Sequence, residues 1–231
     1  GTAWTVANGG VPLEPGVPTS SAVPFSLALT DDSVVNRVPD PISGTLYVRT
    51  TGDDITGEGT SALPFATPHR AVTETSTHGL NGAILIDVGE GTFPGGIPVP
   101  PISGASAVNT VTIRGVAGAT VIDGSATQDR GILLDGADYI TIENLEIRNV
   151  KQEGIKVGKR ADGDAAANDT IRNCFIHDVG LDATVAALEI GPSASGITVD
   201  GCRIDGDAYG IQASGAASTP VIGLTLTNNF V

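Results

Sequence analysis

From Gly131 to Val231 the chain alternates apolar and polar residues in short bursts, and the bursts repeat. The segments YITIENLEIRNV (from Tyr139), DTIRNCFIHDV (from Asp169), GITVDGCRIDG (from Gly196) and GLTLTNNFV (from Gly223) align rung under rung. Ile142, Ile171, Val199 and Leu226 then share one column, at spacings of 29, 28 and 27 residues. Thr141, Thr170, Thr198 and Thr225 share the next, and Asn144, Asn173, Gly201 and Asn228 mark a turn two residues beyond the apolar position. A second apolar column, Ile132, Ile155, Leu188 and Ile211, precedes it. A local period of two places successive side chains on opposite faces of a strand. Self-similarity at this fixed spacing predicts a repeat architecture.

The expected fold is all-β, a right-handed single-stranded parallel β-helix. Each unit supplies one coil of short strands, bent at a Gly or Asn that tolerates the left-handed backbone conformation. Like strands stack in parallel between coils, and the inward columns fill the bore. Residues 1–44 differ in kind: VPLEPGVPTSSAVPF and VPDPISG form an extended arm or linker without a core of its own. Residues 45–231 carry the solenoid. Within residues 45–80, Leu46-Tyr47-Val48 reads as a strand, TTGDDITGEGTS as a loop, and Thr67 with Pro68 as the start of a short helix running to about Ser76. The coils occupy residues 81–231. The first is irregular, with strands in AILIDV, IPV, VTIRGV and TVIDG, and the Pro-rich stretch FPGGIPVPPISGAS is expected to bulge from it as a loop. Val231 stops in mid-strand, in the column of Ile147, Ile176 and Ile204, so the coils are expected to continue beyond it or to be closed by a partner.

The runs AILIDVGEGTF, ATVIDGS, GILLDGADYITIENLEIRNV and GIKVG resemble the pectin-lyase-like superfamily of right-handed β-helices. LYVRTTGDDITGEGTSALPFATPHRAV is similar to the opening segment of such proteins, in which a strand and a Gly/Asp loop lead to a helix that caps the solenoid. The resemblance covers Thr45 to Val231. It implies the fold, whereas function stays open, because the superfamily includes polysaccharide lyases, hydrolases, epimerases, phage tail spikes and non-catalytic surface proteins. YVRTTGDD and PFATPHRAV look most like phage structural proteins, and that likeness implies a homotrimer or a larger virion or surface assembly.

Composition narrows the setting. The 31 Gly and 4% aromatics among 231 residues suit a narrow bore filled by Ile, Val, Leu and Ala. A net charge of −14 with only 12 scattered Lys and Arg argues against nucleic acid as a partner, and also disfavours unassisted binding of polyanionic sugars. An acidic surface suits a salty extracellular setting and ordinary solubility alike. No apolar run approaches the length of a membrane span.

Candidate chemistry lies on the outward columns. The first strand of each coil presents Leu133, Lys156, Glu189 and Gln212, and the third presents Glu146, Phe175 and Arg203, then Arg148, His177 and Asp205. Stacked charges can simply pair with one another. The functional reading is a sugar-binding face of Lys156, Glu189, Gln212, Arg148, His177, Asp205, Phe175 and Arg203, with Lys156, Glu189 and His177 as the catalytic candidates. A glycosidase would need two carboxylates about 5 Å or about 6.5–9.5 Å apart, and Glu153 with Asp182 is one loop pair that neighbouring coils could bring together. His177 and Asp178 are adjacent on a strand, so they are expected on opposite faces rather than as a dyad.

Other residues carry two readings. Cys174 and Cys202 fall one rung apart in the Leu145 column, as a disulfide or as small bore residues. Asp53, Asp54 and Glu58, and Asp162 and Asp164 in the KRADGDAAAND loop, are candidates for Ca²⁺, although their spacing is not that of an EF-hand and Asp is common in solvated turns. No other cofactor is indicated. Asp169 aligns with the inward Ile140 and Ile197 and is expected at a strand mouth, within reach of water or a backbone amide. His69 and His78 flank the helix and are expected to face solvent. The favoured function is a β-helical segment of an extracellular or virion-surface spike or fibre that contacts cell-surface polysaccharide. The alternative is a secreted polysaccharide lyase, glycoside hydrolase or epimerase on the same fold.

Overall fold

The period-two bursts form strands that stack in parallel, coil upon coil, in three sheets. The computed structural model describes residues 39–158, 163–181, 185–205 and 209–231. Most of the arm, residues 1–38, lies outside the described residues, as do Asp162 and Asp182.

Strand β1 (Ile42–Val48) leads to helix α1 (Pro68–His78), followed by β2 (Leu80–Val88), β3 (Gly91–Pro94) and β4 (Ile97–Val99). The next coil holds β5 (Val111–Arg114), β6 (Thr120–Asp123) and β7 (Ile132–Asp135), and then come β8 (Ile140–Glu143), β9 (Glu146–Arg148) and β10 (Ile155–Gly158). The last coils hold β11 (Thr170–Arg172), β12 (Phe175–His177), β13 (Ala186–Ile190), β14 (Thr198–Asp200), β15 (Arg203–Asp205), β16 (Tyr209–Ala213) and β17 (Thr225–Thr227). Sheet A runs β1-β2-β5-β8-β11-β14-β17, sheet B runs β3-β6-β9-β12-β15, and sheet C runs β4-β7-β10-β13-β16. Every pair within them is parallel, as a solenoid with one strand of each sheet per coil requires.

The register follows the expected columns. Ile142, Ile171, Val199 and Leu226 pair in sequence through sheet A, and Ile132, Ile155, Leu188 and Ile211 through sheet C. Ile142, Ile171 and Val199 are fully buried, each worth about 1.5–3 kcal/mol of hydrophobic stabilisation. The bend between sheets A and B falls on Asn144, Asn173, Gly201 and Asn228, with φ of 59°, 52°, 63° and 54°. Asn can occupy this left-handed region because its short polar side chain bonds locally, which is why the turn column is written in Asn and Gly.

Helix α1 packs against β1, β2 and β4, burying Pro68, Ala71, Val72 and Thr75. The Thr67 hydroxyl accepts from the Arg70 amide, and the Gly79 amide donates to the Thr75 carbonyl at the other end. Asp54 completes the start: its carboxylate accepts from the Ala66 and Thr67 amides and from the Thr67 hydroxyl, at 2.7, 3.0 and 2.6 Å. Its negative charge also suits the helix N-terminus.

Three expectations are corrected. The stretch FPGGIPVPPISGAS is no bulge: it ends β3 and contains β4, and Phe93, Ile97, Val99 and Ile102 are buried in the core. Pro98 is accommodated because β4 is the edge strand of sheet C, where a missing amide donor is tolerated. His78 is not left to solvent: its ring nitrogens lie 2.9 Å from the Asp40 carbonyl and 3.1 Å from Glu74 Oε1. Asp169 is not at a water-accessible mouth. It is fully buried, and the Ile140 amide alone supplies the expected backbone donor, at 2.9 Å.

Candidate functional site

The outward columns divide between two sheets. Lys156, Glu189 and Gln212 continue a sheet C column that begins at Pro98 and Leu133, one residue per rung. At about 4.8 Å per rung this column is about 19 Å long. Glu146, Phe175, Arg203, Arg148, His177 and Asp205 lie on sheet B.

On sheet C, the turns leading into β7 and β10 stack on each other: the Lys151 amide donates to the Gln128 carbonyl and the Gln152 amide to the Asp129 carbonyl. Gly154 makes the second turn fit, since a Cβ there would sit 2.4 Å from Ile176 Cγ2. These turns raise a wall beside the sheet. Between the wall and the strands lies a concavity of about 300 Å³, lined by Gly96, Ile97, Pro98, Thr127, Gln128, Asp129, Arg130 and Leu133.

A charged cluster continues this groove. Arg130 Nε donates to Glu153 Oε2 at 2.7 Å and its Nη2 to Gln152 Oε1 at 2.6 Å. Lys156 Nζ donates to Glu153 Oε1 at 3.1 Å and to Glu189 Oε2 at 2.9 Å. The Glu153 side chain is 3% exposed and those of Lys156 and Glu189 25% and 17%, so the cluster has a buried anchor and an accessible rim. The two carboxyl groups thus share the Lys156 ammonium between them. Burial opposes ionisation of Glu153, but the bonds from Glu189, its own backbone and Lys156 outweigh it and hold its carboxyl at about 2. The bond to Glu153, together with burial, raises Glu189 despite Lys156.

Sheet B presents a paired surface. Arg148 bridges Asp123 and Glu146 at 3.0 and 2.9 Å, and Arg203 donates to Asp205 at 2.6 Å while its guanidinium lies 4.6 Å from the Phe175 ring centroid. Phe175 also stacks on His177, with ring centroids 4.3 Å apart. His177 and Asp178 do meet, contrary to expectation: His177 Nδ1 lies 2.8 Å from Asp178 Oδ2. Asp178 follows the end of β12 with φ of 51°, so strand alternation no longer sets its direction. The other ring nitrogen lies 3.2 Å from Glu146 Oε1.

Two of the calcium candidates, Asp53 and Asp54, are turned to backbone amides. Asp53 Oδ1 accepts from the Ile55 and Thr56 amides at 2.7 and 2.8 Å, an arrangement that holds its carboxyl below the usual range, and Asp54 caps α1. Glu58 is exposed, and Asp164 has a partner within the protein. Among the described residues no three His, Cys, Asp or Glu side chains gather as a metal site. Cys174 and Cys202 are free thiols, both buried in the bore.

Arg130, central to the sheet C cluster, is absent from the sequence-level candidates. The signal lay in DRGILLD over QEGIKVG: Gly131 and Gly154 align, which stacks Arg130 on Glu153 as opposite charges one rung apart.

Residues 102–231 match the family described as the right handed beta helix region. No curated protein matches the sequence. Among solved structures, a GH136 lacto-N-biosidase from Eubacterium ramulus superposes with a TM-score of 0.60 at 15% identity, over 81% of this chain and 41% of that one. A rhamnogalacturonan lyase superposes with a TM-score of 0.53 at 14% identity, over 81% of this chain and 51% of that one. The chain thus spans about half the length of these relatives or less, and at such identities the likeness is one of fold.

Proposed function

Because the chain belongs to the right-handed β-helix family, we propose that it binds an extended polysaccharide along sheet C, in the groove between the column Pro98–Leu133–Lys156–Glu189–Gln212 and the turn wall. The observation that carries this reading is the continuity of the concavity with the cluster: Leu133 lines the one and stacks directly under Lys156 of the other. An apolar floor followed by fixed polar groups on a rigid sheet is a surface suited to sugar rings. Glycan binding is also what the polysaccharide-directed names of the two fold relatives support.

We assign this surface to an extracellular or virion-surface spike or fibre, as the resemblance of the opening segment implies, with a homotrimer as its assembly. The described helix is too short to cross a membrane. The role is binding rather than cleavage as the cluster stands. Lys156 is committed to two carboxylates, and its ammonium stands where a glycosidic bond or a water between Glu153 and Glu189 would have to fit. The enzymatic alternative is favoured by the opposite pulls on these two carboxyls, Glu153 held down and Glu189 pushed up, since acid and base roles are separated in that way. A polysaccharide panel separates the two readings. Retention without new reducing or unsaturated ends supports the binding role, and release of such ends, abolished by Glu189→Gln, establishes the enzyme.

A further inference from the structure

Resting on the sheet C reading, we infer that the polymer this groove accepts is a neutral glycan, not a uronate-rich or sulfated one. An acidic sugar laid on a protein surface loses water from its charge, and that loss is offset only by cations with hydrogen bonds to give. The described cations bordering the groove are already engaged by groups of the protein itself. Arg130 directs Nε to Glu153 and Nη2 to Gln152, Lys156 directs Nζ to both Glu153 and Glu189, and Lys151 has its own partner within the protein. Glu153 faces Arg130 and Lys156 at once, and its near-complete burial fixes that arrangement.

The long-range field points the same way. Asp129 adds a carboxylate to the groove wall, and the whole chain carries −14, so a polyanion approaches against repulsion. What the groove offers instead is suited to uncharged rings. Pro98 and Leu133 give an apolar floor for ring faces, and Thr127 and Gln128 give a hydroxyl and an amide for sugar hydroxyls.

The test titrates the purified chain with an array of neutral glycans, with polygalacturonate and with a sulfated galactan, each at low and at high salt. The expected result is retention of a neutral glycan with little salt dependence, weakened about tenfold by Leu133→Ala at an unchanged melting temperature. Polygalacturonate is expected to bind only to Glu189→Gln, at low salt, because that substitution takes one carboxylate away from Lys156. If the unaltered chain binds an acidic polymer more tightly than any neutral one, and Leu133→Ala weakens that binding, the groove stands and the neutral-ligand inference falls. If no probe binds, or Leu133→Ala leaves binding unchanged, the groove reading falls and takes this inference with it.

Discussion

Asp169 Oδ1 accepts a hydrogen bond from the Ile140 amide one rung away, at 2.9 Å, while Asp169 Oδ2 is buried with no partner among the described residues. Burial, helped by the nearby charge of Asp138, raises this carboxyl to about 8 against the pull of the Ile140 amide. The folded state therefore holds a proton that the unfolded chain releases near its ordinary value of 3.8. The contribution of Asp169 to stability is accordingly greatest below that value and falls as pH rises toward about 8, by up to about 1.4 kcal/mol per pH unit. Asp169→Asn keeps the acceptor and removes the titration. Denaturant melts across this range should show a flatter profile for Asp169→Asn, with its advantage over the natural residue greatest on the alkaline side.

Substitutions on adjacent residues of β8 and β11 report the register. Ile142→Asp or Ile171→Asp buries a bare carboxylate in the bore and should cost more than about 4 kcal/mol or prevent folding. Thr141→Asp or Thr170→Asp faces outward and should change stability by about 0.5 kcal/mol. Circular dichroism melts of the four single variants check this, and equal damage from both pairs would displace the register by one residue.

The turn column responds to backbone preference. Asn173 sits at φ 52°, so Asn173→Gly should be neutral within about 0.5 kcal/mol and Asn173→Val should cost about 1–3 kcal/mol through strain alone. Thermal unfolding of the two variants side by side is the measurement.

The solenoid could be read from the sequence because Ile142, Ile171 and Val199 repeat with an Asn or Gly always two residues on, so local period and long period agree. Ile97 was legible in the expected IPV strand, but the burial of Phe93 and Ile102 was hidden for the opposite reason. Pro94, Gly95, Gly96 and Pro98 punctuate them as a loop does, and only the edge position of β4 makes a strand with Pro in it acceptable. Alternation likewise failed at Asp178, where a left-handed residue ends the strand. Part of the sheet C cluster was visible, Lys156 over Glu189 by register and Glu153 as a loop carboxylate. Arg130 and Gln152 escaped because they lie on turns, where neither period reaches, and only the stacking of whole coils brings them together.

The charged cluster should behave as a unit. Lys156→Met removes a cation shared by two carboxylates and leaves Glu153, with its side chain 3% exposed, dependent on Arg130; a loss of about 3 kcal/mol is expected. Glu189→Gln, at the rim, should cost less than about 1 kcal/mol. Chemical denaturation of both variants tests this ordering, and equal losses would mean that Glu153 is not the buried anchor.

The central claim is that sheet C, beside the turn wall, is where polysaccharide binds. Hydrogen–deuterium exchange of the chain with and without a retained glycan tests it most directly, since a bound polymer shields the amides beneath it. The account predicts slowed exchange in residues 127–133, 151–156 and 189–190, with sheets A and B unchanged. Protection confined to sheet B around Phe175 and His177, or to the outer face of sheet A, would contradict it.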